Sequence, residues 1–339
     1  MTLKDIAEKA DVSMMTVSNV INGKHKRVSA KTIEKVNNII AEYGYVPNLS
    51  ARSLTNKNSN IIGIIIFTYG NNDTDYLDEN PYLHIMLETI EVELRKNNYF
   101  TMIHSIVNKQ DIIEFSKNWN VDGIIFLYPL PDDTLKALVA ENICPIAVFD
   151  SRTNLPEVIT VCSDDFKGLY LSTKYLINHG HSHIAFVSDY KENPLLTLRF
   201  NGYRHALEES GIPLRQEYIF PYASTYKEGI AAGKQIASLN TKITAAVTTA
   251  DVSAIGLMEG ARLGGYRIPA QLSVTGYDDL SLCQYTSPKL TSVSQNIRQK
   301  ALCATDLLIE KIQTGTVAQS PHAVLDVEIV ERQSVLSLI

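Results

Sequence analysis

Three charged side chains stand where a small polar molecule could be gripped. Asp150 directly follows the β-rich run 145–149, Arg199 opens Arg199-Phe200-Asn201-Gly202-Tyr203 after the run 184–188, and Asp278 closes Val274-Thr275-Gly276-Tyr277-Asp278. In open parallel sheets ligands bind beyond the carboxyl ends of the strands, which is where all three fall. A carboxylate or a guanidinium offers two hydrogen-bonding positions to vicinal hydroxyls, and a charge-assisted bond is the stronger kind. Taken singly, each is a helix-capping Asp or a salt-bridged surface Arg. Their coincidence at strand ends favours a ligand. Thr68, Tyr69, Tyr82, Tyr128, Asp165 and Gln295 follow the same rim, and a tyrosine there either stacks on the apolar face of a sugar ring or belongs to the core.

The elements that must position them alternate between short β-rich runs and helical periods. Runs 61–67, 100–105, 123–127 and 145–149 interleave with helices near 82–97, 109–119 and 132–141. A second series, 184–188, 219–220, 245–248 and 272–275, interleaves with helices near 166–179, 198–210, 225–239 and 251–264. That pattern predicts two similar doubly wound lobes with parallel sheets around a cleft. A last helix is expected near 296–313.

Residues 1–47 read differently. Leu3, Ile6, Ala7 and Ala10 line one helix face, Thr2 with Asp5 forms a capping pattern, and Ser13 starts a second helix whose Val17, Val20 and Ile21 face back. Met14, Met15, Ser18 and Asn19 then point outward at the start of the second helix, where a helix-turn-helix reads base edges in a major groove. Ser29 opens a third helix with Ile33, Val36, Ile39 and Ile40 inward, ended at Gly44 and Pro47. Residues 1–57 hold nine Lys and Arg against five Asp and Glu, or +4, whereas the remainder holds 22 against 32, or −10. A basic head on an acidic body suits phosphate contact at one end.

The chain resembles the lactose/galactose repressor family of bacterial transcription regulators. The match runs through the opening Thr-Leu-x-Asp-Ile-Ala, Val12-Ser13, Thr16-Val17-Ser18, Asn22, Val28-Ser29-Ala30-Lys31-Thr32 and Tyr45-Val46-Pro47-Asn48. It implies an all-α three-helix helix-turn-helix head (1–47), a hinge helix and linker (48–60), and an α/β two-lobed, periplasmic-binding-protein-like domain (61–339). Lobe 1 is expected over about 61–161 and 295–322, lobe 2 over about 162–294 and 323–339, with 323–330 crossing back. It implies operator contacts by Thr2, Ser13, Met14, Met15, Thr16, Ser18, Asn19, Asn22, Ser29, Asn48, Ala51, Arg52 and Leu54, with Leu54 as a minor-groove wedge. It also carries effector contact to Asp150, Arg199 and Asp278, and implies a homodimer that binds operator DNA and a small-molecule effector, expected to be a carbohydrate, either a sugar or a sugar phosphate.

Two positions depart from the family. Ala250-Asp251 stands where Asn-Asp is common, so an amide contact is missing and Asp251 is either a ligand contact or a helix cap. Asn19 replaces an arginine after Thr-Val-Ser; asparagine pairs best with adenine and methionine offers apolar contact to a thymine methyl, so a half-site richer in A·T is expected.

With 339 residues, of which 45% are hydrophobic, the chain can bury more than one core. Lys4, Asp5, Glu8 and Lys9 occupy the place where a signal peptide needs an apolar stretch, which predicts a cytoplasmic protein with no membrane association. Cys144, Cys162, Cys283 and Cys303 are scattered, disfavouring disulfides and zinc, and are expected to be mostly core thiols. No cofactor or metal is implied. An enzyme is disfavoured: there is no P-loop, no G-x-G-x-x-G and no nucleophile elbow. His179, His181 and His183 are expected at the surface of a helix-to-strand turn. Two alternatives stay open, a regulator of a non-sugar metabolite such as a nucleobase and a sugar-binding protein without a DNA function.

Overall fold

Helix α1 (Leu3–Ala10) begins in a closed capping box: the Thr2 hydroxyl accepts the Asp5 amide at 3.3 Å while the Thr2 amide donates to the Asp5 carboxylate at 2.7 Å. The computed structural model describes residues 1–21, 23–45, 59–67, 80–106, 109–191, 193–239 and 242–339. These divide into Met1–Asn60 and Ile61–Ile339. In the first unit Asp11 turns the chain in the left-handed region, α2 (Met14–Ile21) starts behind a Ser13 cap, and α3 (Ala30–Tyr43) starts behind Ser29. Ile6, Ala7, Ala10, Val17, Val20 and Val36 are buried together, with Ile33, Ile39 and Ile40 partly buried around them. The hinge segment 48–54 lies outside the described residues.

The second unit holds two six-stranded sheets. In the first, β1 (Ile61–Phe67), β2 (Phe100–Ile106), β3 (Gly123–Phe126), β4 (Ile146–Phe149), β5 (Val158–Ser163) and β11 (His322–Leu325) lie in the order 11-5-4-3-1-2, all parallel. In the second, β6 (Ile184–Val187), β7 (Ile219–Phe220), β8 (Ala245–Thr248), β9 (Ser273–Asp278), β10 (Thr291–Ser294) and β12 (Glu328–Val330) lie in the order 12-10-9-8-6-7, with β12 antiparallel.

Period-two alternation buries both faces. Ile62, Ile64 and Ile66 of β1 pack on α4 (Pro81–Lys96) and α11 (Ile297–Thr314), whereas Ile65 packs on α5 (Lys109–Trp119) and α6 (Asp132–Glu141). In the second lobe Ile184 and Phe186 meet α7 (Asp165–Asn178) and α8 (Pro194–Glu209), while Ala185 and Val187 meet α9 (Tyr226–Ser238) and α10 (Asp251–Leu263). The α9 and α10 backbones touch. A Cβ on Gly256 or Gly260 would stand 2.1 Å from the carbonyl oxygen of Tyr226 or Ile230. Glycine is required there.

The chain crosses between lobes three times. The first crossing lies between Ser163 and Asp165, the second at Gln295-Asn296, and the third at Asp326-Val327. This moves two expected boundaries: β5 keeps residues 162 and 163 in the first sheet, and β11 keeps residues 323–325 there. The segment 323–330 is therefore not one crossing strand but the end of one strand and the start of another in the other lobe. Both corrections have one cause, since Thr160-Val161-Cys162-Ser163 continues β5 as an extended edge on which residues 322–325 pair.

His181 is also corrected. It is buried, not at the surface, with Nδ1 at 2.9 Å from the Thr244 hydroxyl and Nε2 at 3.0 Å from the Leu336 carbonyl, which ties the C-terminal segment to the second lobe. His179 and His183 are half-buried, each with its own partner, the Tyr175 carbonyl and the Tyr218 hydroxyl. All four cysteines are free thiols, Cys162 and Cys283 buried and Cys144 and Cys303 partly so. No helix among the described residues is long and apolar enough to cross a membrane.

Candidate functional site

Asp150 and Asp278 stand at the carboxyl ends of β4 and β9 with φ of +60° and +114°, and Asn296, which starts α11, has φ +45°. Non-glycine residues seldom hold such angles, and clusters of them mark sites where geometry is imposed by the surroundings. Asp150 and Asp278 aim their side chains into one place, whereas Asn296 is exposed and caps α11 by accepting the Gln299 amide. Lys300 of α11 donates to Asp150 at 2.6 Å and to the Gln295 side-chain oxygen at 3.2 Å; Gln295 also accepts from Ser163 at 2.9 Å and donates to Asp278 at 2.6 Å. The network therefore runs from lobe 1 through two crossings into lobe 2.

Beside it, Arg199 donates to Asp165 at 2.8 Å and to the Thr249 carbonyl at 2.6 Å, and its guanidinium lies 3.6 Å from the centroid of the Tyr277 ring. Tyr277 donates its hydroxyl to Asp165 as well. Burial opposes the charges on Lys300 and Arg199. Carboxylates and tyrosines nearby outweigh it and hold both groups more firmly protonated than usual. Burial pushes the Asp278 carboxyl up to about 7, against the pull of Arg199 and the Gln295 hydrogen bond.

Two tyrosines join this cluster. The Tyr82 ring lies 5.7 Å from the Lys300 ammonium, and its hydroxyl is buried without a hydrogen-bond partner among the described residues. Tyr128 accepts from Asn80, which caps α4. A buried hydroxyl without a partner is unfavourable unless something else fills the role.

Asp150, Asp165, Arg199, Asp278, Gln295, Tyr82 and Tyr128 are thus gathered at the strand ends. Asp251 is not: its two oxygens accept from the Ser292 hydroxyl at 2.6 Å and the Leu280 amide at 2.7 Å, inside lobe 2. Fully buried, its carboxyl is pushed up to about 8. It ties α10 to the loop after β9 and to β10, which corrects its placement among the effector contacts. Thr68 and Tyr69 lie outside the described residues.

On the head, Met14 and Met15 are 53% and 72% exposed, large apolar side chains open to solvent on α2. Ser18 and Asn19 are half-buried beside them, and Thr16 bonds the Ser13 hydroxyl at 3.0 Å. Thr2, Ser13 and Ser29 each cap a helix, their hydroxyls accepting the Asp5, Thr16 and Thr32 amides. Asn22, Asn48, Ala51, Arg52 and Leu54 lie outside the described residues.

A family model described as bacterial regulatory proteins, lacI family, matches residues 2–48, and one described as a periplasmic binding protein-like domain matches residues 173–335. The HTH-type transcriptional repressor PurR of Vibrio atlanticus is 31% identical over 342 residues, covering 99% of both chains. The chain belongs to the lacI family. The Ribose operon repressor of Haemophilus influenzae is 29% identical to this lacI-family protein over 347 residues, again covering 99% of both. Among solved structures, the lac repressor dimer bound to operator and the anti-inducer ONPF superposes with a TM-score of 0.86 at 26% identity, covering 99% of both chains. This lacI-family protein is a DNA-binding transcriptional regulator built on a ligand-binding domain.

Sequence reasoning missed Lys300 in this lacI-family cleft. Its signal was present: Ile297, Ala301, Ala304 and Leu308 mark the buried stripe of α11, and Lys300 falls within that stripe, 1% exposed. A lysine on the apolar face of a helix needs an anionic partner, and Asp150 is that partner.

Proposed function

We propose that this protein is a homodimeric, sugar-responsive repressor of carbohydrate-utilisation genes, working in the cytoplasm. Two heads grip a pseudo-palindromic operator through the α2 faces carrying Met14, Met15, Ser18 and Asn19, and two hinge segments kink its centre at Leu54. A sugar between the lobes meets Asp150, Asp278, Arg199 and Gln295 and changes the lobe geometry on which the heads depend. The observation that carries this reading is the network Asp150–Lys300–Gln295–Asp278, because it passes from one lobe to the other through the crossings themselves. A ligand hydroxyl that engages either carboxylate acts on the hinge directly. The relationship to a ribose operon repressor over the whole chain supports a sugar.

The test is a gel shift on a promoter fragment with and without a panel of sugars. One sugar is expected to change the shift, and Asp278→Ala is expected to bind DNA but ignore that sugar. An intact response in the variant refutes the site assignment. A response to nucleobases and to no sugar transfers the cleft to that other class.

A further inference from the structure

The charge balance of the cleft selects among sugars. We propose that it takes an uncharged, hydroxyl-rich ligand and turns away phosphorylated or carboxylated relatives, with Lys300, held by Asp150, as the residue that sets the choice. This rests on the reading of the cleft as a sugar site and narrows it.

An anion needs a cation whose charge is not already spent. Among the described residues the two buried cations of the site are both committed, Lys300 to Asp150 at 2.6 Å and Arg199 to Asp165 at 2.8 Å. Asp278 is a third carboxyl, held by an amide rather than a cation. Three carboxyls face two cations, so the site is neutral when Asp278 is protonated and negative when it is not. An entering phosphate would have to take Lys300 from Asp150 and leave that carboxylate buried and unpaired beside a second anion. Breaking a buried pair in this way costs on the order of a hundredfold or more in an equilibrium.

Neutral hydroxyls meet the opposite situation. The buried Tyr82 hydroxyl has no partner among the described residues. Arg199 has five N–H donors, of which the Asp165 and Thr249 bonds occupy two. Asp150 and Asp278 each have one oxygen that accepts no hydrogen bond from the described residues. A diol can satisfy these donors and acceptors without disturbing either ion pair.

Calorimetric titration of the full-length protein with neutral pentoses and hexoses, and with the phosphate ester of each, reads this directly. A neutral sugar is expected to bind, and its ester at least about tenfold more weakly. Asp150→Asn releases the Lys300 ammonium and is expected to move the ester-to-sugar affinity ratio about tenfold or more toward the ester, whereas Lys300→Met is not. If Asp150→Asn does not fold, the wild-type ratio decides alone. An ester that binds wild type as tightly as its parent sugar overturns the inference and leaves the sugar cleft standing. Absence of binding by every sugar and every ester overturns the sugar reading itself, and this inference with it.

Discussion

Asp165→Asn tests the internal ion pair that orients Arg199. The two groups are 2.8 Å apart with side chains 3% and 7% exposed, so water screens them little. With an effective dielectric of about 20, two unit charges at that separation attract by about 6 kcal/mol. Most of this offsets the cost of taking both groups out of water, but removing one partner keeps the burial of the other and loses the attraction. Asp165→Asn is therefore expected to destabilise the protein by about 3–5 kcal/mol, and Arg199→Met by a similar amount. The double variant, with neither charge, is expected to recover more than half of the summed loss, because no buried charge is left alone. Urea unfolding of the full-length protein followed by circular dichroism measures all four members of the cycle. Losses under about 1 kcal/mol in the single variants, or simple additivity in the double, refute the argument that the pair is desolvated and mutually dependent.

Ile6→Ala empties the centre of a core of a few side chains, and a loss of about 2–5 kcal/mol is expected to unfold the head. DNA binding should disappear while ligand binding by residues 61–339 survives; retention of the gel shift would contradict it. The Asp251 carboxyl, near 8 when folded against about 3.9 when unfolded, binds its proton more tightly in the native state. The stability it contributes is whole below about pH 4 and lost as pH rises through about 8, so the melting temperature should fall between pH 6 and 8. Asp251→Asn should flatten that slope, and an unchanged slope would remove Asp251 as its source. Site selection from random duplexes should return half-sites richer in A·T under Met14, Met15 and Asn19; a strict guanine at the Asn19 contact would defeat that pairing argument.

The alternating segments from Ile61 onward were legible because each strand is a short β-branched run and each helix keeps its period. Val158–Ser163 and Thr291–Ser294 escaped, although the first is β-branched along most of its length. No α-helix separates either from the strand before it, so the alternation of strand and helix that marks the others does not bracket them. The strand-end rule found Asp150, Arg199, Asp278, Asp165 and Gln295, since position after a strand is a property of sequence order. It also took in Asp251, because order does not reveal which way a carboxylate turns: Asp251 follows β8 but faces Ser292 and Leu280. Lys300 has the converse character, a lysine inside the apolar stripe of α11, the helix that follows β10 and returns the chain to lobe 1. Its meaning lies in the pairing with Asp150, 150 positions away, which no local pattern carries.

The backbone contact between α9 and α10 bears on the mechanics of the switch. Where a side chain separates two helices, its rotamers give the pair some compliance; where Gly256 and Gly260 bring carbonyls against Cα atoms, there is none to give. Lobe 2 then behaves as a stiff lever. In the proposed binding mode, work done on Asp278 by a ligand would find little to deform between α9 and α10 and would pass to the crossings at Asp164, Gln295 and Asp326 as rotation.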